Sequence, residues 1–219
     1  MSHPRSKILF IAGIGRSGST LLSRMLAQID GFQAVGELHH LWQTGAPLLA
    51  TEELCGCGSS YADCPFWPAM IEAALGAVDR ERLDGLAQLK RETDRVRYIP
   101  WMRSPLKPPG YARRLREYRP IVRSLYAAIE TTCQPRVIVD ATKDPSSLYL
   151  LSTLSELEVT VLHLVRDPRG VAYSWTKTIR RPEFKDQHVY MPRQTSLRNA
   201  TYWSYSNFLA GRCRRLHQY

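Results

Sequence analysis

The chain has 219 residues, 44% of them hydrophobic and 10% aromatic, with a formal net charge of +10. This composition excludes a disordered or fibrous chain, and the length suits one α/β domain spanning residues 1–219. No apolar run reaches the roughly 20 residues of a membrane-spanning helix, and the positive charge fits either a basic solvated surface or an anionic partner: nucleic acid, an anionic membrane or a polyanionic small molecule.

The start, MSHPRSKILFIAGIG, sets a short apolar run against a glycine loop. Lys7–Ala12 therefore reads as a buried parallel strand, not a secretory leader. After the loop, Leu21, Leu22, Met25, Leu26 and Ile29 recur at helical spacing, with Ser19 or Thr20 to cap the helix start. Phe32–Glu37 is a second strand. Residues 50–64 read as loop and 66–95 as helix. Trp101–Gly110, with three prolines, reads as a connecting loop. The next helical pattern, YARRLREYRPIVRSLYAAIETTC, holds Pro120, which is expected to kink it or to start a fresh helix. Its Arg113, Arg114, Arg116, Arg119 and Arg123 read as a solvated face in preference to a ligand-facing cluster. Together these pieces form a helical, cysteine-containing insertion over about 50–135.

Strands then return at Arg136–Thr142 and Val159–Val165, followed by the helical stretches SSLYLLSTLSEL and GVAYSWTKTI. Strands alternating with helices predict a doubly wound parallel sheet with helices on both faces. Ligands of such sheets bind at the carboxyl ends of the strands. That rule brings Gly13–Thr20, Glu37, Lys143 and Arg166 to one rim.

The loop GIGRSGST is P-loop-like. A glycine-rich turn opening a helix aims backbone N–H groups and the helix dipole at one spot, where an anion fits. Gly13 and Gly18 have the spacing of the pattern G-x-x-x-x-G-K-[ST], but Ser19 stands where a nucleotide triphosphatase carries its lysine. The strong donor is Arg16, whose guanidinium can fork onto two anionic oxygens. Gly13, Gly15 and Gly18 also fit G-x-G-x-x-G, with Glu37 as the only acidic residue for a ribose.

AGIGRSGSTLLSRML resembles the 5′-phosphosulfate-binding loop of sulfotransferases. LVRDPRGVAYSW resembles their 3′-phosphate-binding segment, with Arg166 closing a strand and Ser174 eight residues later. The resemblance implies 3′-phosphoadenosine-5′-phosphosulfate (PAPS) as donor. Its phosphosulfate would lie on Gly15, Arg16, Ser17, Gly18, Ser19 and Thr20, and its 3′-phosphate on Arg166 and Ser174. The acceptor would be a hydroxyl of a carbohydrate, lipid, small molecule or peptide, with no metal. VGELHH and TKDPSS are similar to segments of the tyrosylprotein-sulfotransferase branch. They imply Glu37 as general base and Lys143 beside the bridging oxygen, with Arg16 as the third catalytic group. The resemblance covers roughly residues 7–178, and CGCG…CPFW is similar to an insertion in bacterial sulfotransferases. Family members continue further, so either Arg180, Arg181, Arg212, Arg214 and Arg215 take over the closing role or the sequence is truncated at its C-terminal side.

Competing roles stand beside these. Glu37 has Arg16 or a neighbouring histidine as an alternative partner, and Lys143 has Asp140 or Asp144. His39 or His40 is an alternative base. Five cysteines, an odd number without a leader, point to a reducing, cytoplasmic setting. Cys55, Cys57 and Cys64 form C-x-C-x6-C, three thiols where structural zinc takes four ligands. A loop held by packing or by a redox-formed link is expected there, and no metal is assigned. A nucleotide kinase and a basic nucleic-acid binder are the other readings. The kinase lacks its loop lysine, and the binder rests on aromatic–basic stretches such as YARRLREY. The expected partner is the hydroxyl acceptor, without nucleic acid; oligomeric state is not legible.

Overall fold

In the computed structural model, which describes residues 6–42, 54–181, 184 and 188–214, strand β1 (Ser6–Gly13) is buried on both faces. Ile8, Phe10 and Ala12 join one apolar cluster and Ile11 a second, with Leu9 packed against it. Such two-sided burial is why the run is continuously apolar instead of alternating. Residues 1–5, residues 50–53 of the predicted loop, the side chains of His40 and Arg214, and Arg215 lie outside the described residues.

The chain continues through α1 (Ser19–Leu26), β2 (Phe32–Gly36) and a 3-10 turn at Leu38–Trp42. The insertion carries α2 (Trp67–Leu75), α3 (Arg80–Thr93), a 3-10 turn at Val96–Tyr98, α4 (Ile99–Arg103) and α5 (Pro109–Cys133). Then come β3 (Val137–Lys143), α6 (Pro145–Leu151), β4 (Leu157–Leu164), α7 (Pro168–Thr176) and α8 (Ser196–Arg214). The strands form one sheet in the order β2-β3-β1-β4, and every pairing is parallel. Helices α2 to α6 and α8 bury their apolar faces with Ile8, Phe10, Ile138 and Val159. On the opposite face, Leu22 and Leu26 of α1 pack with Ile11, Val139 and Ala141. The predicted α/β architecture is thus the observed one. No helix among the described residues is long and apolar enough to cross a membrane.

Several local expectations differ. Of the apolar residues of the first helix, Leu21 and Met25 are exposed, at 66% and 61%. The helix ends at Leu26, so its inward stripe is narrower than the periodicity implied. Helix α5 runs unbroken through Pro120. Pro120 and Arg116 are both on the exposed side, so the carbonyl that loses its partner is open to water. Within Trp101–Gly110, Trp101 belongs to α4 because its ring stacks on Tyr98, 5.5 Å away, and meets Tyr111 at 5.3 Å. Of the α5 arginines, Arg113, Arg116 and Arg123 are exposed as expected, but Arg114 pairs with Glu92 at 3.2 Å. Helix α8 was not anticipated. Its buried positions include Asn199, Ser206, Ala210 and Cys213, small or polar residues that hide the helical period.

Two buried polar links tie the insertion to the rest of the α/β core, one through helix α6 and one through the sheet. Lys90 and Asp94 form an ion pair at 2.6 Å, and Ser147 of α6 donates to the same carboxylate oxygen at 2.7 Å. Tyr126 of α5 donates to Asp140 of β3 at 2.5 Å. Burial pushes both of these acids upward. Asp140 also accepts the Thr142 N–H at 2.8 Å. Tyr126→Phe removes one of its donors, and the expected cost is about 1–3 kcal/mol of stability. Urea unfolding checks this; an unchanged midpoint would show that the bond contributes nothing.

Candidate active site

The four strands end at Gly13, Gly36, Lys143 and Leu164, and all four ends share one edge because every pairing is parallel. Two irregularities shape that edge. The register slips between Phe10↔Asp140 and Ala12↔Lys143, and again between Ala34↔Val139 and Gly36↔Asp140. Slips of this kind re-aim side chains at the end of a strand. Among the described residues, the non-glycine residues with positive φ are Arg16 at 71°, Lys143 at 66° and Gln134 at 47°. Gln134 caps the C-terminus of α5, where the left-handed conformation is ordinary. Arg16 and Lys143 have no such excuse. Backbone held this way costs roughly 1–3 kcal/mol per residue and clusters at functional sites.

The loop between β1 and α1 is set by its glycines. A Cβ on Gly13 would lie 2.5 Å from the Leu164 carbonyl oxygen, so the close approach of β4 requires glycine there. Gly18, at φ 101°, caps α1 without any side-chain hydrogen bond, and nothing lies within 4 Å of where its Cβ would be. The first turn of α1 carries no acidic residue. No acidic side chain of the helix therefore offsets the positive end of its dipole or its free N–H groups. The Ser17 hydroxyl donates back to the Ile14 carbonyl at 2.6 Å and closes the loop. Ser19 is buried and Thr20 exposed.

Arg16 reaches across to α7. Its Nε donates to the Ser174 hydroxyl at 2.9 Å, and its Nη1 approaches the Met191 sulfur at 3.1 Å. Arg166 donates from Nη1 to the Arg16 carbonyl at 2.9 Å. So Arg16, Arg166 and Ser174, 158 residues apart at the extremes, form one linked group. The sequence reading assigned them to two separate ends of a ligand; here Arg16 contacts the residue assigned to the far end. Trp175 packs against Gly15, and its Nε1 is buried with no hydrogen-bond partner among the described residues. Trp203 of α8 donates to the Arg166 carbonyl at 2.9 Å. Trp175, Met191 and Trp203 were missed in the sequence. Only Trp175, adjacent to Ser174, carried a positional hint.

The second group is Glu37 and Lys143. Lys143 is 8% exposed. It donates from Nζ to the Glu37 carboxylate and, at 2.9 Å, to the Ala141 carbonyl. Of the partners weighed in the sequence for Lys143, Asp144 is committed elsewhere. It caps α6 by accepting the Ser146 N–H at 3.1 Å, with Pro145 in the first turn. Asp167 repeats the device on α7, accepting the Arg169 N–H at 2.8 Å ahead of Pro168. Lys143-Asp144-Pro145 and Arg166-Asp167-Pro168 are thus the same junction used twice: a cation at the strand end, an aspartate cap, and a proline that opens the helix. His39 borders a small pocket of about 30 Å³ with Asp94, Tyr118, Asp140 and Thr142. Glu37 instead borders a cavity of about 310 Å³ with Tyr61, Trp67 and the three clustered cysteines.

A family model described as the sulfotransferase family matches residues 9–218, nearly the whole chain, and the chain belongs to that family. No curated protein matches it. Among solved structures, a chain of the Pnkp1/Rnl/Hen1 complex is similar at 13% identity and a TM-score of 0.33, too loose a likeness to establish a common fold. The overlap takes in 89% of this chain and 48% of that one, so this chain spans about half the length of that protein.

Proposed function

We propose that this sulfotransferase-family chain moves a sulfuryl group from PAPS to an acceptor hydroxyl by in-line displacement. The observation that carries the reading is the pair of strained residues, Arg16 and Lys143, at the rim where the uncapped start of α1 opens. The donor is polyanionic, and the residues suit it: an uncapped helix start, open space over Gly18, an orphaned Trp175 N–H, and two arginines linked through one carbonyl. The phosphosulfate lies against Gly15–Thr20, where backbone N–H groups and Arg16 offset its charge. The 3′-phosphate lies on Arg166 and Ser174, and Ser174 gives up the Arg16 Nε as the donor enters. No covalent intermediate with the protein is required, so the residues act by positioning and electrostatics.

At the reacting end, the acceptor approaches from the cavity beside Glu37. Glu37 takes the hydroxyl proton as the oxygen attacks sulfur. Lys143, held by Glu37 before the donor arrives, moves onto the bridging oxygen and neutralises the charge that grows there. The expected result is one site for 3′-phosphoadenosine-5′-phosphate by calorimetry, with transfer of labelled sulfate from PAPS to a hydroxyl acceptor. A folded protein that binds neither the bisphosphate nor PAPS, or that turns over ATP with magnesium instead, would exclude this reading.

A further inference from the structure

We infer that Cys55, Cys57 and Cys64 bind one zinc ion. The sequence alone argued the other way, because it counted three thiols against the four ligands of a structural site. The geometry changes the weighting. The Cys64 sulfur lies 3.5 Å from that of Cys55 and 3.7 Å from that of Cys57, and all three lie within 4.8 Å of one another. Zinc–thiolate bonds of about 2.3 Å in a tetrahedron set the sulfur–sulfur edge at about 3.8 Å. The three sulfurs therefore approximate one face of such a tetrahedron.

The backbone supports the same conclusion independently. The Cys55 N–H donates to the Ser59 carbonyl at 2.8 Å and the Gly58 N–H to the Cys55 carbonyl at 2.9 Å, which folds residues 55–59 into a tight turn. Gly58 sits at φ 91°, a conformation that favours glycine. In this turn the Cys57 N–H points at the Cys55 sulfur and the Ser59 N–H at the Cys57 sulfur. Packing alone does not explain this, since Cys57 is exposed. A disulfide would use two of the sulfurs and leave the third without a role.

The three cysteines line the cavity of about 310 Å³ that Glu37 also borders, so the fourth vertex of the metal faces that cavity. Binding releases the thiol protons and ties the 55–59 turn to Cys64, just ahead of α2. The ion thereby holds one wall of the cavity in place. The site is separate from the proposed donor site, so failure of either leaves the other standing.

The test uses the full chain without a histidine tag, purified under reducing conditions and dialysed against zinc. About one zinc per chain is expected by elemental analysis. Cobalt substitution should give sulfur-to-metal charge-transfer absorption with the visible bands of a four-coordinate ion. Cys57→Ser, at an exposed position that packing tolerates, should lose most of the metal and lower the melting temperature, while Cys133→Ser should keep it. Circular dichroism on each variant confirms that it is folded. Zinc absent from folded, reduced wild-type protein overturns the proposal. So does zinc retained in full by both Cys57→Ser and Cys55→Ser, which would place it elsewhere.

Discussion

Glu37→Gln is expected to lower kcat by roughly 10²–10⁴-fold, the usual contribution of a positioned base. Donor affinity should stay near wild type. Several features of the site make this a sharp expectation. Glu37 follows the last residue of β2, on the edge where the glycine loop and Lys143 also stand. Its side chain is about one-third exposed and opens on a cavity, so a hydroxyl can reach it. His39 instead borders a separate, smaller pocket with Asp94 and Asp140. Glutamine keeps the shape and an oxygen for Lys143 Nζ but cannot take a proton. If Glu37 only holds Lys143 in place, glutamine largely preserves turnover. If His40 is the base, His40→Ala fails while Glu37→Gln turns over normally. A stopped-flow comparison of the variants at saturating PAPS separates the outcomes, and normal turnover by Glu37→Gln removes Glu37 from the role of base.

The second large effect is expected at Arg166. Losing a charge-assisted contact with a phosphate costs about 1.5–3 kcal/mol, so Arg166→Ala should weaken 3′-phosphoadenosine-5′-phosphate roughly 10- to 150-fold. Arg166 has a second task that complicates the result, because it also fixes the carbonyl of the strained Arg16. Adenosine 5′-phosphosulfate, which lacks the 3′-phosphate, separates the two. A contact with the 3′-phosphate predicts that Arg166→Ala weakens the bisphosphate far more than this shorter nucleotide. Equal weakening of both would mean that Arg166 acts by holding the loop, and the 3′-phosphate assignment would be lost. Unchanged affinity for both would remove Arg166 from the donor site altogether.

Much of the fold could be read from residue order because it follows from local pattern. Four short apolar runs with glycine or D-P junctions behind them permit little but parallel strands feeding helices, and the sheet is built that way. The rim followed too: once the strands are parallel, their carboxyl ends must share an edge, and Arg16, Glu37, Lys143 and Arg166 stand at those ends or in the loops that follow them. What the pattern did not contain was pairing across long separations. Lys143 meets Glu37, 106 residues earlier, because two register slips at the ends of β2 and β3 turn them toward each other and Asp144 is taken up by a helix cap. Arg16 meets Ser174 because α7 packs over the glycine loop. Neither slip has a signature in residue types. Helix α8 escaped notice because tertiary packing buries small and polar residues there, and an apolar period cannot report them. The three cysteines show the division most clearly. Spacing alone counted them and found one too few. Only the folded turn, with its glycine at positive φ and its N–H groups aimed at sulfur, brings them to distances that a metal ion requires.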